Sequence, residues 1–224
     1  MDMILYFIAL GIMIWSIVLS IKVPTTFKKW NKVRAISGIT GAEAAQRILA
    51  ANGIYDVTIG TAPSGLGDHY DPRSKTLNLS PEVANNASVG ALAVAAHECG
   101  HAIQHHEGYG LLAFRNSLVP VANIGSRLGI WLCFIGFAVS FISFLIPIGI
   151  LLFTFAVLFH IVTLPVELNA SKRAIALLEN GRMLQTEEEA CGAKKMLSAA
   201  AMTYVASTLA AIVQLLRLIA RVRD

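Results

Sequence analysis

A histidine–glutamate pair followed by a second histidine carries the clearest chemistry in this sequence. His97, Glu98 and His101 form the pattern H-E-x-x-H. On a helix, positions i and i+4 share one face, so both imidazoles can bind a single metal ion. The glutamate beside the first histidine then lies close enough to take a proton from water that the metal activates. The spacing therefore predicts a zinc site with two histidine ligands and Glu98 as the general base.

The residues around this motif favour a helix. An alanine-rich stretch at 91–96 precedes it, without a proline or a turn signal. Gly100 costs helix stability, about 1 kcal/mol relative to alanine, so we expect another element to pack closely against it. Cys99 points away from the histidine face and is predicted to serve packing. The alternative is an ordinary buried helix whose histidines pair with carboxylates.

The composition and the long uncharged stretches predict a membrane protein. Hydrophobic residues make up 55% of the chain and charged residues 14%. Residues 3–21 form an uncharged stretch long enough to span a bilayer, and we expect an uncleaved anchor. Residues 128–166 are too long for one crossing and predict a hairpin with a turn near 140–147. The apolar stretch 196–216 is either a fourth crossing or a helix that is buried or lies at the interface.

Basic residues set the expected orientation. Five of them follow the first anchor with no acid among them: Lys22, Lys28, Lys29, Lys32 and Arg34. The positive-inside rule places that side in the cytoplasm. The arginines after residue 216 oppose this orientation if the last stretch crosses the membrane. The net charge of +4 is explained by membrane-flanking residues, and without a basic groove pattern no nucleic-acid partner is expected.

Between the first anchor and the hairpin, the sequence predicts a small soluble α+β region. Residues 41–52 have the apolar face of an amphipathic helix. Residues 56–59 and 75–79 are typical of short strands, and 60–67 form a loop. Three isolated cysteines predict no disulfide, as expected for an enzyme that faces the cytoplasm.

A catalytic zinc site needs a third protein ligand, and Glu167 is the best candidate. The two predicted crossings of the hairpin separate it from the zinc helix, so both lie on the same side of the membrane. The small Ala170, one turn later, allows a close approach to the zinc helix. The alternative is that this carboxylate only marks the end of a membrane segment.

Other ionisable residues are weaker ligand candidates. His105 cannot reach the same ion from a straight helix, and we expect His105 and His106 at the surface or an interface. A cluster before the second strand either lines the cleft or caps a turn, and it contains Asp68, His69 and Asp71. His160 lies within an apolar span, where it is either solvated, paired or functional.

Three segments of the chain, at 68–80, 95–105 and 165–174, resemble the YugP-type neutral zinc metallopeptidases of bacterial membranes. They occur in the same order over nearly the whole chain. That family is similar to the HtpX-type gluzincins, which also place a membrane hairpin between the zinc helix and the ligand glutamate. The resemblance implies a gluzincin-like catalytic domain that hydrolyses peptide bonds.

The resemblance also implies roles for individual residues. One Zn²⁺ per chain would be held by His97, His101 and Glu167. The strand at 75–79 would be an edge strand that binds the substrate backbone by strand addition. In the related gluzincins an acid four residues after the ligand glutamate orients a zinc histidine. Ser171 takes that place here, and a serine raises the basicity of a histidine less than a carboxylate does.

Ser171 and three further residues are candidates to orient a ligand or to contact substrate. These three are Arg173, His69 and Tyr204, each a candidate donor to the oxyanion of the tetrahedral intermediate. A hydrogen-bond donor to the oxyanion would stabilise negative charge that develops only during the reaction.

The predicted fold class is mainly α with a small β component, an α+β catalytic domain joined to three or four transmembrane helices. The predicted divisions are an anchor at 1–21, a peptidase core at 35–115, a hairpin at 116–166, a third-ligand segment at 167–195 and a candidate fourth crossing at 196–220. The predicted function is a multi-pass cell-membrane zinc metalloendopeptidase, among membrane lipids, with a cytoplasmic catalytic domain. Its substrates would be peptides or membrane proteins. A zinc-binding scaffold or holdase, and a hydrolase of lipids or other non-peptide bonds, remain alternatives.

Overall fold

Helices make up most of the chain in a computed structural model that describes residues 2–63 and 67–223. The chain divides into two compact units. We call the first the membrane unit, and it comprises Met1–Val18, Gly110–Val166 and Thr203–Asp224. We call the second the sheet unit, and it comprises Leu19–Tyr109 and Glu167–Met202.

Four helical stretches among the described residues are long and apolar enough to cross a membrane. They fall in α1 (Asp2–Trp30), in α5 (Gly110–Ile124) continued by α6 (Ile130–Ala138), in α7 (Leu145–Asn180) and in α8 (Glu187–Arg223). A π-helical turn at Gly125–Gly129 joins α5 to α6. The fold is therefore mainly helical, with four candidate membrane spans.

The predicted helical hairpin is confirmed. Helix α6 ends at Ala138, a short 3-10 turn follows at Ser140–Ile142, and α7 begins at Leu145. The turn thus falls close to the expected 140–147. The apolar stretch at 196–216 lies within α8, so its helical character is confirmed, while its crossing of a membrane stays a prediction.

The sheet unit contains the shorter elements. These are α2 (Gly41–Ala51), β1 (Thr58–Thr61), β2 (His69–Asp71), β3 (Thr76–Leu79), α3 (Pro81–Ala84) and α4 (Val89–His106). The strands are ordered β1-β3-β2, with β1 parallel and β2 antiparallel to β3. Helix α2, predicted at 41–52, is confirmed, and Thr40 and Glu43 form a capping box at its start.

Two strand predictions need correction. The first strand, expected at 56–59, spans Thr58–Thr61 instead, because Asp56 lies before it and pairs with Lys75. The strand at 75–79 was expected at an edge, but β3 is paired on both sides and is central. Alternating polarity shows that one face of a strand is buried, and it carries no information on how many edges are paired. Positions 64–66 of the loop expected at 60–67 lie outside the described residues.

The core of the sheet unit fixes α4 in place. Helix α4 packs against α2, α3 and the sheet, and the fully buried side chains at these contacts include Ile48, Leu77, Val83 and Leu92. Burying each of these contributes about 1.5–3 kcal/mol. At the start of α4, the Ser88 hydroxyl accepts a hydrogen bond from the Ala91 amide at 3.1 Å. The helix with the H-E-x-x-H pattern is thus held along its length.

Candidate metal centre

Helix α4 and the part of α7 that belongs to the sheet unit, from Glu167 onwards, bring the three expected ligand residues together. The Nε2 atoms of His97 and His101 lie 3.3 and 3.5 Å from Oε2 of Glu167. Ligand atoms of the three residues all lie within 4.8 Å of one another. Glu167 is only 2% exposed, although it directly follows an apolar stretch of α7. The carboxylate therefore faces the two imidazoles in the protein interior.

Close contact between α4 and α7 makes this grouping possible. A Cβ atom added at Gly100 would lie 2.9 Å from the carbonyl oxygen of Ala170 and 3.2 Å from its Cα. No side chain fits in that space, which explains the glycine in the middle of the zinc motif. The expected close approach at both positions is confirmed. Because Ala170 lies one turn after Glu167, this contact sets how near the carboxylate comes to the histidines.

The donor set fits a zinc ion. Two imidazole nitrogens and one carboxylate oxygen form the ligand set of one class of catalytic zinc sites, in which a fourth position stays open. In both histidines Nε2 faces Glu167, while Nδ1 faces a different polar partner. That division is typical of metal-binding histidines, whose second nitrogen is held by a neighbouring group.

The hydrogen bonds beyond His101 fix which of its nitrogens carries the proton. Arg173 can only donate, and its Nε bonds to Oδ1 of Asn169 at 2.9 Å. The same oxygen accepts from Nε2 of Gln104 at 2.9 Å, so Oε1 of Gln104 faces Nδ1 of His101 at 3.0 Å. Nδ1 of His101 must then be the donor, which leaves the Nε2 lone pair for a metal.

Beyond this relay, Arg173 forms an ion pair with Glu107 at 2.7 Å. The hydrogen bond to Arg173 lowers the pKa of the Glu107 carboxyl group. Burial lowers the pKa of His101, but the hydrogen bond to Glu167 and its negative charge outweigh burial, and the net shift is upward. Glu167 thus stabilises positive charge at His101, as expected for a carboxylate beside a cation site.

His97 has a simpler partner. Its Nδ1 lies 3.3 Å from the hydroxyl of Ser171, one helical turn after Glu167 on α7. A serine hydroxyl can donate or accept, so this contact orients the ring without fixing its tautomer. The two candidate ligand histidines are therefore supported unequally: His101 by a relay that ends in an arginine, and His97 by one hydroxyl.

Glu98 lies beside the two histidines and is held by the sheet. Its Oε2 accepts a hydrogen bond from the backbone amide of Tyr70 at 3.0 Å, and the residue is 9% exposed. Burial raises the pKa of Glu98, the direction that suits a group that accepts and returns a proton near neutral pH. Tyr70 belongs to β2, so an edge strand of the sheet holds Glu98.

Other residues singled out from the sequence have structural partners. Cys99 is buried with its Sγ 3.8 Å from the Ala45 carbonyl, which confirms its packing role. Asp68 accepts hydrogen bonds from the amide and hydroxyl of Ser80, so it links the start of β2 to the residue that precedes α3. Asp71 accepts a hydrogen bond from the amide of Arg73, two residues later, so it caps the turn before β3. The geometry therefore favours turn capping for Asp71, while Asp68 joins two segments.

Two of the three candidate oxyanion donors, His69 and Arg173, already have hydrogen-bond partners. Both ring nitrogens of His69 face partners, the Gly67 carbonyl and the Asn78 side chain. Arg173 is engaged with Asn169 and Glu107. Tyr204 belongs to the membrane unit, and its role stays a prediction. The hydrogen bonds of His69 and Arg173 thus hold both side chains to neighbouring protein groups.

Sequence reasoning missed Gln104, Asn169 and the Tyr70 amide. Gln104 is fully buried, and its position one turn after His101 on an otherwise apolar helix was the available signal. Asn169 lies two residues after Glu167, where nothing in the local pattern requires an amide. The Tyr70 amide left no signal, because a backbone group is the same in every sequence.

Comparison with known proteins agrees with the geometry. The model of a family described as "Putative neutral zinc metallopeptidase" matches residues 5–223. A protein of Bacillus subtilis (strain 168) described as "Putative membrane protease YugP" is 44% identical over 211 residues, covering 94% of this chain and 92% of that protein. No solved structure matches the chain. The resemblance to the YugP-type family is confirmed, and the chain belongs to the family described as "Putative neutral zinc metallopeptidase".

Proposed function

We propose that the protein is a zinc-dependent membrane endopeptidase that hydrolyses peptide bonds with Glu98 as its general base. The observation that carries this proposal is the convergence of His97, His101 and Glu167 beside a buried Glu98. A purely structural zinc site is usually closed by a fourth protein ligand. Among the described residues, the cluster of metal-ligating side chains has three members.

The ligand residues and Glu98 divide the work. His97, His101 and Glu167 would hold one Zn²⁺ per chain. Zinc, when bound, supplies Lewis-acid chemistry that makes water a nucleophile near neutral pH. Glu98 takes the proton from that water and then delivers it to the leaving amine. The amide of Tyr70 holds one carboxylate oxygen of Glu98, which keeps the base in a fixed orientation.

The orientation and the substrate class belong to the same proposal. Basic residues after the first apolar stretch support a cytoplasmic position for the catalytic side. The position of β2 beside Glu98 supports an extended peptide as substrate, since the backbone of such a segment can lie along a strand. Peptides and membrane proteins both offer such segments.

Two substitutions separate the roles of metal binding and catalysis. Zinc content and cleavage of an unfolded protein substrate are measured on detergent-purified wild type, Glu98→Gln and Glu167→Ala. We expect Glu98→Gln to keep zinc and to lose about 10²–10⁴-fold in rate. Glu167→Ala is expected to lose both zinc and activity. Glu188→Gln, which removes an exposed carboxylate, is the matched control and should resemble the wild type.

The same experiment can reject the proposal. Equal cleavage by the wild type and Glu98→Gln would show that the activity does not come from this site. Zinc retained at full occupancy in Glu167→Ala would move the third ligand elsewhere. Stoichiometric zinc without any Glu98-dependent cleavage, across soluble and membrane-protein substrates, would favour the scaffold.

A further inference from the structure

A groove in the membrane unit carries two arginines that the metal centre does not use. It has a volume of about 650 Å³ and is lined by residues of α1, α6 and α8. Arg217 and Arg221 are one turn apart on α8 and both line it. The sequence alone leaves them unexplained, since they oppose the positive-inside orientation if α8 crosses the membrane.

The two arginines are held by aromatic rings in this groove. The guanidinium carbon of Arg217 lies 4.2 Å from the ring centre of Tyr6, and that of Arg221 lies 5.3 Å from the ring centre of Phe137. Stacking leaves the N–H groups at the edge of a guanidinium free to bind in its plane. Arg217 donates to Gln214 at 3.1 Å. Its Nε atom is buried and has no hydrogen-bond partner among the described residues.

The groove lacks a compensating negative charge from the described side chains. The sequence of the membrane unit holds five arginines and only two acids, Asp2 and Asp224. The side chains of these two terminal residues are outside those that the structure describes. An arginine within an apolar region is costly unless it is paired, so the charge balance favours an anionic occupant.

The position of the groove along the helices, together with the residues of its walls, indicates what kind of anion it holds. Tyr6 lies near the start of α1, Phe137 near the end of α6, and Arg217 near the end of α8. In a helix that spans a membrane, such terminal positions lie at the headgroup level. Ile130 and Phe134 continue the groove along α6 and are 37% and 65% exposed. Cationic and apolar surfaces therefore adjoin, which suits an amphiphile.

We propose that this groove binds an anionic phospholipid. Arg217 and Arg221 bind the phosphate oxygens through guanidinium N–H groups. One acyl chain lies along Ile130 and Phe134, where a soluble anion would leave the apolar wall uncovered. Basic pockets between transmembrane helices, known from the cytoplasmic side of membranes, bind anionic lipid headgroups through the same kind of contact. This proposal is independent of peptidase activity, because no residue of the metal centre takes part.

Native mass spectrometry of the full chain tests the proposal. Detergent-purified protein is titrated with phosphatidylglycerol, with phosphatidylcholine and with inorganic phosphate, and the bound mass is counted. We expect a one-to-one phosphatidylglycerol adduct that forms at concentrations at least about tenfold lower than the phosphatidylcholine adduct. Arg217→Gln should weaken it about tenfold. Arg127→Gln removes the same charge from an exposed position of the membrane unit outside the groove and should change nothing.

Arg217→Lys keeps the positive charge and serves as a control in case Arg217→Gln loses lipid binding because it does not fold. It should bind phosphatidylglycerol between the wild type and Arg217→Gln, because an ammonium group replaces a two-pronged donor. Equal binding of the two lipids, or equal weakening by Arg127→Gln, would overturn the proposal. Inorganic phosphate binding as tightly as the lipid would assign the arginines to a soluble anion. A dimer mass that replaces the lipid adduct would assign the groove to a second copy of the chain.

Discussion

Each compact unit contains a helix contact at which a glycine lets two backbones approach closely. In the sheet unit, α4 meets α7 at Gly100, where an added Cβ would lie 2.9 Å from the Ala170 oxygen. In the membrane unit, α7 meets the π-helical turn at Gly129. There an added Cβ would lie 2.9 Å from the Gly149 oxygen. The steric demand is the same at both glycines.

The surroundings of the two contacts differ in chemistry. Polar side chains flank the contact at Gly100, among them Gln104, Asn169 and the candidate ligand Glu167. The contact at Gly129 is flanked by apolar groups such as Phe153 and by the buried Cys133. Close packing in the membrane unit therefore only joins helices, as small residues do in membrane proteins. In the sheet unit the same packing also sets the distance between the candidate metal ligands.

A valine at each glycine in turn distinguishes packing that only joins helices from packing that also sets the ligand distance. We expect these variants to show the largest difference in bound zinc. Gly100→Val forces α4 away from Ala170 and so moves both histidines away from Glu167. We expect loss of nearly all bound zinc, in addition to about 1–3 kcal/mol of overpacking. Gly129→Val carries a similar steric cost in the membrane unit, and the fraction that folds should keep its zinc. Zinc per folded chain, measured by elemental analysis after size exclusion, checks both.

If Gly129→Val loses zinc as completely as Gly100→Val, the contrast between the two contacts is wrong. The metal centre would then depend on packing throughout the chain. If Gly100→Val keeps its zinc, the contact at Ala170 does not set the ligand distance.

The relay behind His101 predicts the next largest effect. Gln104→Leu keeps the volume of a fully buried side chain but removes the acceptor that fixes Nδ1 of His101 as a donor. Zinc affinity should fall about 10–100-fold, as is usual when the partner of a metal-binding histidine is lost. Competition with a fluorescent zinc chelator measures it. Gln46→Leu, at an exposed position on α2, is the control and should bind zinc as the wild type does.

The single hydroxyl behind His97 predicts a smaller loss. Ser171→Ala removes a neutral contact of 3.3 Å, and a hydrogen bond of this kind contributes about 1 kcal/mol. Zinc affinity should therefore fall about fivefold, clearly less than in Gln104→Leu. The same chelator competition ranks the two variants. A loss in Ser171→Ala that equals the loss in Gln104→Leu would mean that both histidines are supported equally.

The sequence predicted the parts of the site that follow from local spacing. H-E-x-x-H on an alanine-rich stretch predicted α4, and Gly100 and Ala170 predicted the close helix contact. Glu167 could be inferred as the third ligand because a hairpin returns the chain to the same side of a membrane. Each of these inferences needs only helix periodicity or the thickness of a bilayer.

The remaining parts depend on contacts between elements far apart in sequence. The central position of β3 depends on β1 and β2 pairing with both of its edges, and no residue of β3 signals this. Gln104 meets Asn169 across 65 positions of the chain. The Tyr70 amide holds Glu98 through a backbone group. Such contacts are set by how the elements pack, so local patterns do not contain them.

The far end of the His101 relay should matter least. The ion pair between Arg173 and Glu107 is 2.7 Å long, but the Glu107 side chain is 49% exposed. Exposed pairs of this kind contribute about 0.2–1 kcal/mol. In Glu107→Gln, Arg173 keeps its Nε hydrogen bond to Asn169, so the polarity of the relay and the donor role of Nδ1 in His101 are unchanged. Zinc affinity should therefore stay within about threefold of the wild type.

Arg173→Leu tests the direction of the hydrogen bonds, because it removes the one side chain of the relay that can only donate. The Asn169 amide is then free to turn, and Gln104 loses the contact that fixes its own orientation. Zinc affinity should fall further than in Glu107→Gln and approach the value of Gln104→Leu, measured by the same chelator competition. An equally large loss of zinc affinity in Glu107→Gln and Arg173→Leu would show that the ion pair, and not the direction of the hydrogen bonds, supports His101, and wild-type affinity in both would show that neither does. The donor role assigned to its Nδ1 would then have to come from another group.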